Sequence, residues 1–110
     1  PSVGAKTAAD PWCVKTTSAR MGAEGLKEQA RVRAAAAGGL GAPTLVLHGL
    51  DDGLVPPAAS EVFEGAPGAE RRTYPGLRHE LHNEPEGPQI VDEIIAWLRE
   101  RVMERDTLPV

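Results

Sequence analysis

Residues 42–56 read APTLVLHGLDDGLVP, and the first half of this stretch decides the fold class. The segment 44–48 is a short continuous apolar run without alternation, which is typical of a parallel strand buried on both faces. Pro43 stands at its first position, where a missing N–H does little harm, and Gly49 ends it. The stretch therefore predicts a buried parallel strand followed by a polar loop.

The segments around this strand predict helices, a loop and one more strand. Residues 1–19 have little periodicity and mix Pro, Gly, Ser, Thr and Lys, so they predict a loop. Alanines interleaved with charged residues predict a helix over 20–37. Pro57 favours a short helix that runs to Phe63, because proline suits a first helical turn. A second, weaker strand is predicted over 71–74.

The clearest element is an amphipathic helix near the end of the chain, which we expect to lie on a sheet. Its apolar residues recur at three- and four-residue spacing, and Trp97 stands at the edge of the stripe that they form. The stripe consists of Ile90, Val91, Ile94, Ile95, Leu98 and Val102.

The order helix, strand, helix, strand, helix predicts an α/β fold with two parallel strands and crossover helices. Two strands of this buried type need neighbours, since a bare strand edge is a template for aggregation. The chain also opens at Pro1 without an initiator methionine. We therefore expect a fragment that needs the missing N-terminal half of the same fold as its partner.

Composition excludes several functional classes. With 110 residues and a net charge of -4, the chain gives no reason to expect nucleic acid or an anionic membrane as a partner. No apolar run approaches the ~20 residues that span a bilayer. The single cysteine, Cys13, cannot form an internal disulfide, and no signal peptide is visible. These features favour a cytoplasmic protein.

Two loops follow the carboxyl ends of the two predicted strands and carry the chemistry. The first contains Asp51 and Asp52, and the second contains His79. Ligands and catalytic groups gather at this edge of open α/β sheets. A carboxylate there can accept a ring N–H, fix the tautomer and stabilise an imidazolium. An acid that precedes a histidine is also the order found in α/β-hydrolase triads.

These residues resemble a known family. Residues 42–56 are similar to the penultimate core strand and acid loop of the monoacylglycerol lipase and lysophospholipase branch of the α/β-hydrolases, of the serine aminopeptidase S33 type. Residues 73–84 resemble the histidine loop of that branch, and 94–98 resemble its final helix. Residues 10–24 resemble the end of the mobile cap that covers the acyl pocket.

The resemblance implies a domain organisation and two site residues. Residues 1–38 would be the end of the cap or lid with a connecting helix, and 39–110 the C-terminal part of the α/β-hydrolase core. Asp52 would be the triad acid and His79 the general base. Asp51 is the competitor for the acid, and we expect it to cap the turn instead.

The nucleophile that the family requires is absent from this chain. Its serines are Ser2, Ser18 and Ser60, and none stands between the glycines of a G-x-S-x-G elbow. The early strand that supplies the oxyanion hole is missing too. We therefore expect the chain alone to be inactive and the parent protein to be a carboxylic ester hydrolase. The resemblance implies a small lipid ester as substrate, a monoacylglycerol or lysophospholipid, and no cofactor; it allows transient membrane contact through the cap.

Other interpretations remain open. The same fold hosts peptidases, epoxide hydrolases and dehalogenases, and the chain could be an inactive remnant or half of a split protein. His48 is expected to pack near the site, since the oxyanion reading of its His-Gly pair would need a downstream serine elbow. The H-E-L-H spacing from His79 to His82 is not H-E-x-x-H, so no metal site is predicted. His82 and Glu84 are expected to brace the loop or face solvent.

Overall fold

The computed structural model describes residues 2–106, with side chains through Met103. The chain divides into two compact units, Pro1–Ala34 and Ala35–Val110. Within the described residues, no helix has both the length and the apolar character needed to cross a membrane. The residues predicted to carry chemistry all lie in the second unit.

The first unit contains helix α1 (Val3–Ala9) and most of helix α2 (Ala19–Ala36). The loop predicted over 1–19 is wrong for α1. The Ser2 hydroxyl accepts the N–H of Ala5 at 3.3 Å and caps this helix, and its alanines then favour helical backbone. The helix predicted over 20–37 is confirmed as α2.

The second unit holds two parallel strands, β1 (Thr44–Gly49) and β2 (Ala69–Tyr74). Their register pairs Thr44 with Ala69 and Gly49 with Tyr74. A 3-10 helix, Pro57–Phe63, connects them. The two predicted strands, their parallel direction and the short helix that begins at Pro57 are confirmed, but β1 is not fully buried, because its first four residues are half-buried. Because both strands end at the same register, the loops that follow them start side by side.

Helix α3 (Gly87–Asp106) is the predicted amphipathic helix, but only part of the predicted stripe is buried. Ile90 and Trp97 are 2% and 7% exposed, and Trp97 Nε1 donates to Glu70 Oε2 of β2 at 2.9 Å. Tyr74 donates its hydroxyl to Glu93 Oε2 at 2.6 Å. The helix therefore contacts β2 through Trp97 and Glu93, which pair with polar side chains of that strand.

Most of the predicted stripe stays exposed on a second row of α3. Its members Val91, Ile95, Leu98 and Val102 are 38–58% exposed. A shallow apolar cavity of about 320 Å³ is lined by Ile95, Leu98, Arg99, Val102 and Met103. The periodicity therefore predicted the helix correctly, but the buried side is centred on Ile90 and Trp97, at the edge of the predicted stripe.

Candidate active site

Asp52 and His79 meet at the carboxyl edge of the sheet. The Nδ1 atom of His79 lies 2.8 Å from Asp52 Oδ2. The Asp52 side chain is 4% exposed and that of His79 is 45% exposed. Since a carboxylate can only accept, Nδ1 carries the hydrogen and donates it. The Nε2 atom of the neutral ring is then left to accept a proton from another group, and no described residue bonds it.

The second oxygen of Asp52 is fixed by the backbone of its own loop. Asp52 Oδ1 accepts the N–H groups of Leu54 at 2.8 Å and Val55 at 2.9 Å. The turn-capping role expected for Asp51 is therefore wrong, because an aspartate bonds the N–H two residues ahead and Asp52 holds that position. Asp51 contributes its backbone N–H, which donates to Leu77 O at 2.9 Å.

These contacts set the charge of the Asp52 carboxyl. Burial alone would raise its pKa, but the N–H of Val55, the ring of His79 and the N–H of Leu54 outweigh burial and lower the pKa from 3.8 to about 2. The group is therefore a carboxylate throughout the neutral range. It can stabilise a positive charge that forms on His79 during proton transfer.

The low pKa of Asp52 predicts a pH dependence of stability. A depressed folded-state pKa contributes stability that is present above the unfolded value and is lost as the pH falls through the folded value. For Asp52 that window runs from about 4 down to about 2. Urea unfolding between pH 5 and pH 2 should show a shallower loss of stability for Asp52→Asn than for the wild type. Equal slopes for the two proteins would contradict the assigned contacts.

The loop that carries His79 lies directly against the end of β1. A methyl group on Gly49 would collide with the backbone carbonyl oxygens of Leu77 and Arg78, closer than real Cβ atoms approach. Leu50, the next residue, donates its N–H to Tyr74 O at 2.9 Å. Glycine is therefore required at position 49 by the close approach of two backbones.

We expect Gly49→Ala to destabilise the protein by about 1–3 kcal/mol, because neither carbonyl oxygen can move without displacing the His79 loop. Gly53→Ala is the matched control, since a Cβ there meets nothing within 4 Å. Urea unfolding midpoints of both variants measure the difference. Similar midpoints for the two alanine variants would show that the loop does not press on β1.

Glu84 stabilises the loop that carries His79 through a hydrogen bond to its backbone. Its Oε1 accepts the N–H of Arg78, the residue before His79, at 2.9 Å. A 3-10 helix, Leu81–Asn83, carries the chain from His79 to this glutamate. The bracing role expected for Glu84 is confirmed, and His82 is exposed.

Behind the Asp52–His79 pair lies a buried cluster that the sequence did not reveal. His48 is 8% exposed, its Nδ1 lies 2.8 Å from Ser60 Oγ, and its Nε2 lies 3.0 Å from Val55 O. The same Nε2 is 3.3 Å from Asp52 Oδ2. His48 was expected near the site, whereas Ser60 and Arg71 carry no sequence signal, because the packing of the connecting 3-10 helix on both strands brings them together.

In space, Ser60 contacts His48 and His48 contacts Asp52, which is the arrangement of a catalytic triad. Ser60 nevertheless cannot act as the nucleophile. The residue is 5% exposed, so an ester carbonyl has no access to it. Its Oγ also accepts the Nε–H of Arg71 at 2.8 Å, which reduces its nucleophilicity. This serine is part of the support of the site.

The described acidic and imidazole side chains near this pair do not form a metal site. Within the described part of the chain, no group of three or more His, Cys, Asp or Glu side chains is arranged to hold a metal ion. His79 is instead committed to Asp52, and Glu84 to a backbone N–H.

Comparison with known proteins agrees with this architecture. Residues 1–86 match the family described as serine aminopeptidase, S33, and this range contains both strands, Asp52 and His79. The monoacylglycerol lipase of Mycolicibacterium smegmatis (strain ATCC 700084 / mc(2)155) is 40% identical over 77 residues, which cover 67% of this chain and 26% of that protein. The chain thus spans about a quarter of the length of this curated relative. With its two parallel strands and crossover helices, the chain belongs to the serine aminopeptidase S33 family of α/β-hydrolases.

Proposed function

We propose that Asp52 and His79 are the acid and the general base of a serine hydrolase that cleaves carboxylic esters of lipid type. The observation that carries the proposal is the 2.8 Å hydrogen bond from His79 Nδ1 to a carboxylate that stays charged. It leaves Nε2 of a half-exposed ring to take a proton. The nucleophilic serine and the oxyanion-hole N–H groups would come from outside these 110 residues.

The chemistry follows from this geometry. As the serine oxygen attacks the ester carbonyl, His79 Nε2 takes the hydroxyl proton and the carbonyl electrons move to the oxyanion. The tetrahedral intermediate collapses, the ester C–O bond breaks, and the imidazolium returns the proton to the leaving alcohol. Water then attacks the acyl-enzyme with His79 again as base, which releases the acid and restores the serine. Asp52 keeps the ring oriented throughout and stabilises its charge.

The substrate class rests on the relative. A protein named monoacylglycerol lipase is 40% identical over 77 residues that cover 67% of this chain, which supports a monoacylglycerol as substrate and a lysophospholipid as the related choice. Residues 1–38 would then belong to a cap over the acyl pocket, with transient contact to a lipid surface. The reaction needs no metal or organic cofactor.

A second candidate is peptide bond hydrolysis, which the family description as a serine aminopeptidase favours. The same acid and base would serve an amide, because proton return to the leaving amine is the same task for His79. The fold and the Asp52–His79 pair are compatible with both ester and peptide bond hydrolysis, so a comparison of substrates must distinguish the two activities.

The test is a substrate panel on the full-length protein that contains this chain. A monoacylglycerol, a lysophosphatidylcholine and an amino-acid p-nitroanilide are assayed side by side, with the isolated 110 residues as the control. We expect turnover of the esters by the full-length protein and none by the isolated chain. Turnover of the anilide alone would replace the esterase with a peptidase. If the full-length protein turns over none of the three substrates, or if an aspartate occupies the position of the nucleophilic serine, the proposal of a serine hydrolase is overturned.

A further inference from the structure

We propose that His48 is a positioning residue that holds the Asp52 carboxylate in line with His79. The inference rests on the proposed function, in which Asp52 orients the general base. His48 does not reach the open side of the site, because its side chain is 9% exposed and lies behind the carboxylate. Its effect on the reaction would therefore pass through Asp52.

The partners of His48 assign its tautomer. Val55 O and the Asp52 carboxylate can only accept, so the hydrogen of the neutral ring is on Nε2. Nδ1 is then an acceptor and receives the hydroxyl hydrogen of Ser60, whose oxygen lies 2.8 Å away. The buried imidazole is thereby satisfied at both nitrogens, which a buried polar ring requires.

Arg71 orients Ser60 for this task. Its Nε donates to Ser60 Oγ at 2.8 Å, and its terminal nitrogens donate to Pro57 O at 3.0 Å and to Glu64 Oε1 at 2.7 Å. Because Arg71 is a permanent donor, Ser60 accepts from it and turns its own hydrogen away. The nearer acceptor is His48 Nδ1, since Pro57 O lies 3.1 Å from the hydroxyl oxygen.

His48 reaches Asp52 by two routes. It holds the carbonyl of Val55, and the N–H of that same residue donates to Asp52 Oδ1 at 2.9 Å. Its Nε2 also lies 3.3 Å from Oδ2, the oxygen that accepts from His79. Without His48 the acid loop loses its rear support, and Oδ2 is free to turn away from the His79 ring.

Two amide variants in the full-length hydrolase test the donor, with a monoacylglycerol as the substrate. Gln places its amide nitrogen at about the reach of Nε2, whereas Asn reaches only the position of Nδ1. We expect His48→Gln to keep kcat within about threefold of the wild type and His48→Asn to lower it roughly 10- to 100-fold, with KM unchanged. Equal kcat for the two variants would overturn the proposal.

A double-mutant cycle with Asp52→Asn separates positioning from a merely structural role. If His48 acts through Asp52, adding His48→Asn to Asp52→Asn should cost less than about threefold in kcat. A full multiplicative loss would overturn the inference and leave the proposed function intact. Near-normal activity of Asp52→Asn alone would overturn both.

Ser60→Ala repeats the cycle without changing His48 itself. The substitution removes the hydroxyl that donates to His48 Nδ1 and leaves the imidazole in place. We expect a severalfold loss of kcat that disappears in the Asp52→Asn background. A loss of the same size in both backgrounds would overturn the inference.

Discussion

Replacing His79 with alanine in the full-length hydrolase is expected to lower kcat for a monoacylglycerol roughly a million-fold, as loss of the base does in serine hydrolases. The serine would then lose both the acceptor of its proton and the donor to the leaving alcohol. His79 makes one described side-chain hydrogen bond and its side chain is 45% exposed, so the substitution should have little effect on the stability of the fold. We expect the thermal unfolding midpoint to move by less than about 4 °C.

His82→Ala is the matched control for this experiment. It removes an imidazole from the same loop, and that imidazole is exposed and contacts neither Asp52 nor His79. Its kcat should stay within about twofold of the wild type. A His79→Ala protein that is folded and active, or a His82→Ala protein that is inactive, would show that the base was assigned to the wrong histidine.

Asp52→Asn should lower kcat roughly 10,000-fold, as the same change does in a serine protease triad. The amide oxygen can still accept the N–H groups of Leu54 and Val55, so the loop keeps its turn. Its NH₂ group then faces His79 Nδ1 and needs an acceptor there, which places the ring hydrogen on Nε2. In that tautomer His79 cannot take a proton from the nucleophile.

Asp51→Asn distinguishes the two neighbouring carboxylates. The side chain of Asp51 is exposed, and its contribution to the site is the backbone N–H that donates to Leu77 O. Its kcat should therefore remain within about twofold of the wild type. If Asp51→Asn is the damaging change and Asp52→Asn is mild, the acid has been assigned to the wrong residue.

Local chemistry explains which parts of the fold were predictable. Strand β1 is a compact apolar run, and Pro57 presets the turn that follows it, so neither depends on distant residues. Helix α1 was missed because one serine cap and a few alanines decide it, a signal too short to stand out from a loop. Helix α3 carries two apolar rows, and only its packing on β2 selects the row of Ile90 and Trp97.

The candidate site divides in the same way. Asp52 and His79 were found because both follow strand ends, where a parallel sheet brings its loops together. The contacts of Ser60 with His48 and Arg71 were not, since they join residues 12 and 11 positions apart and depend on how the 3-10 helix packs on the two strands. Gly49 likewise looked like a strand end, and only the approach of the His79 loop gives it a steric role.

The central claim is that Asp52 and His79 activate a serine that lies outside these residues, and labelling with a fluorophosphonate tests it most directly. The reagent reacts with a serine that a neighbouring base has activated, and peptide mapping identifies the modified residue. The full-length protein should be labelled at one serine within a G-x-S-x-G sequence, and His79→Ala should not be labelled. No labelling of the wild type, or equal labelling of the His79→Ala variant, would contradict the account.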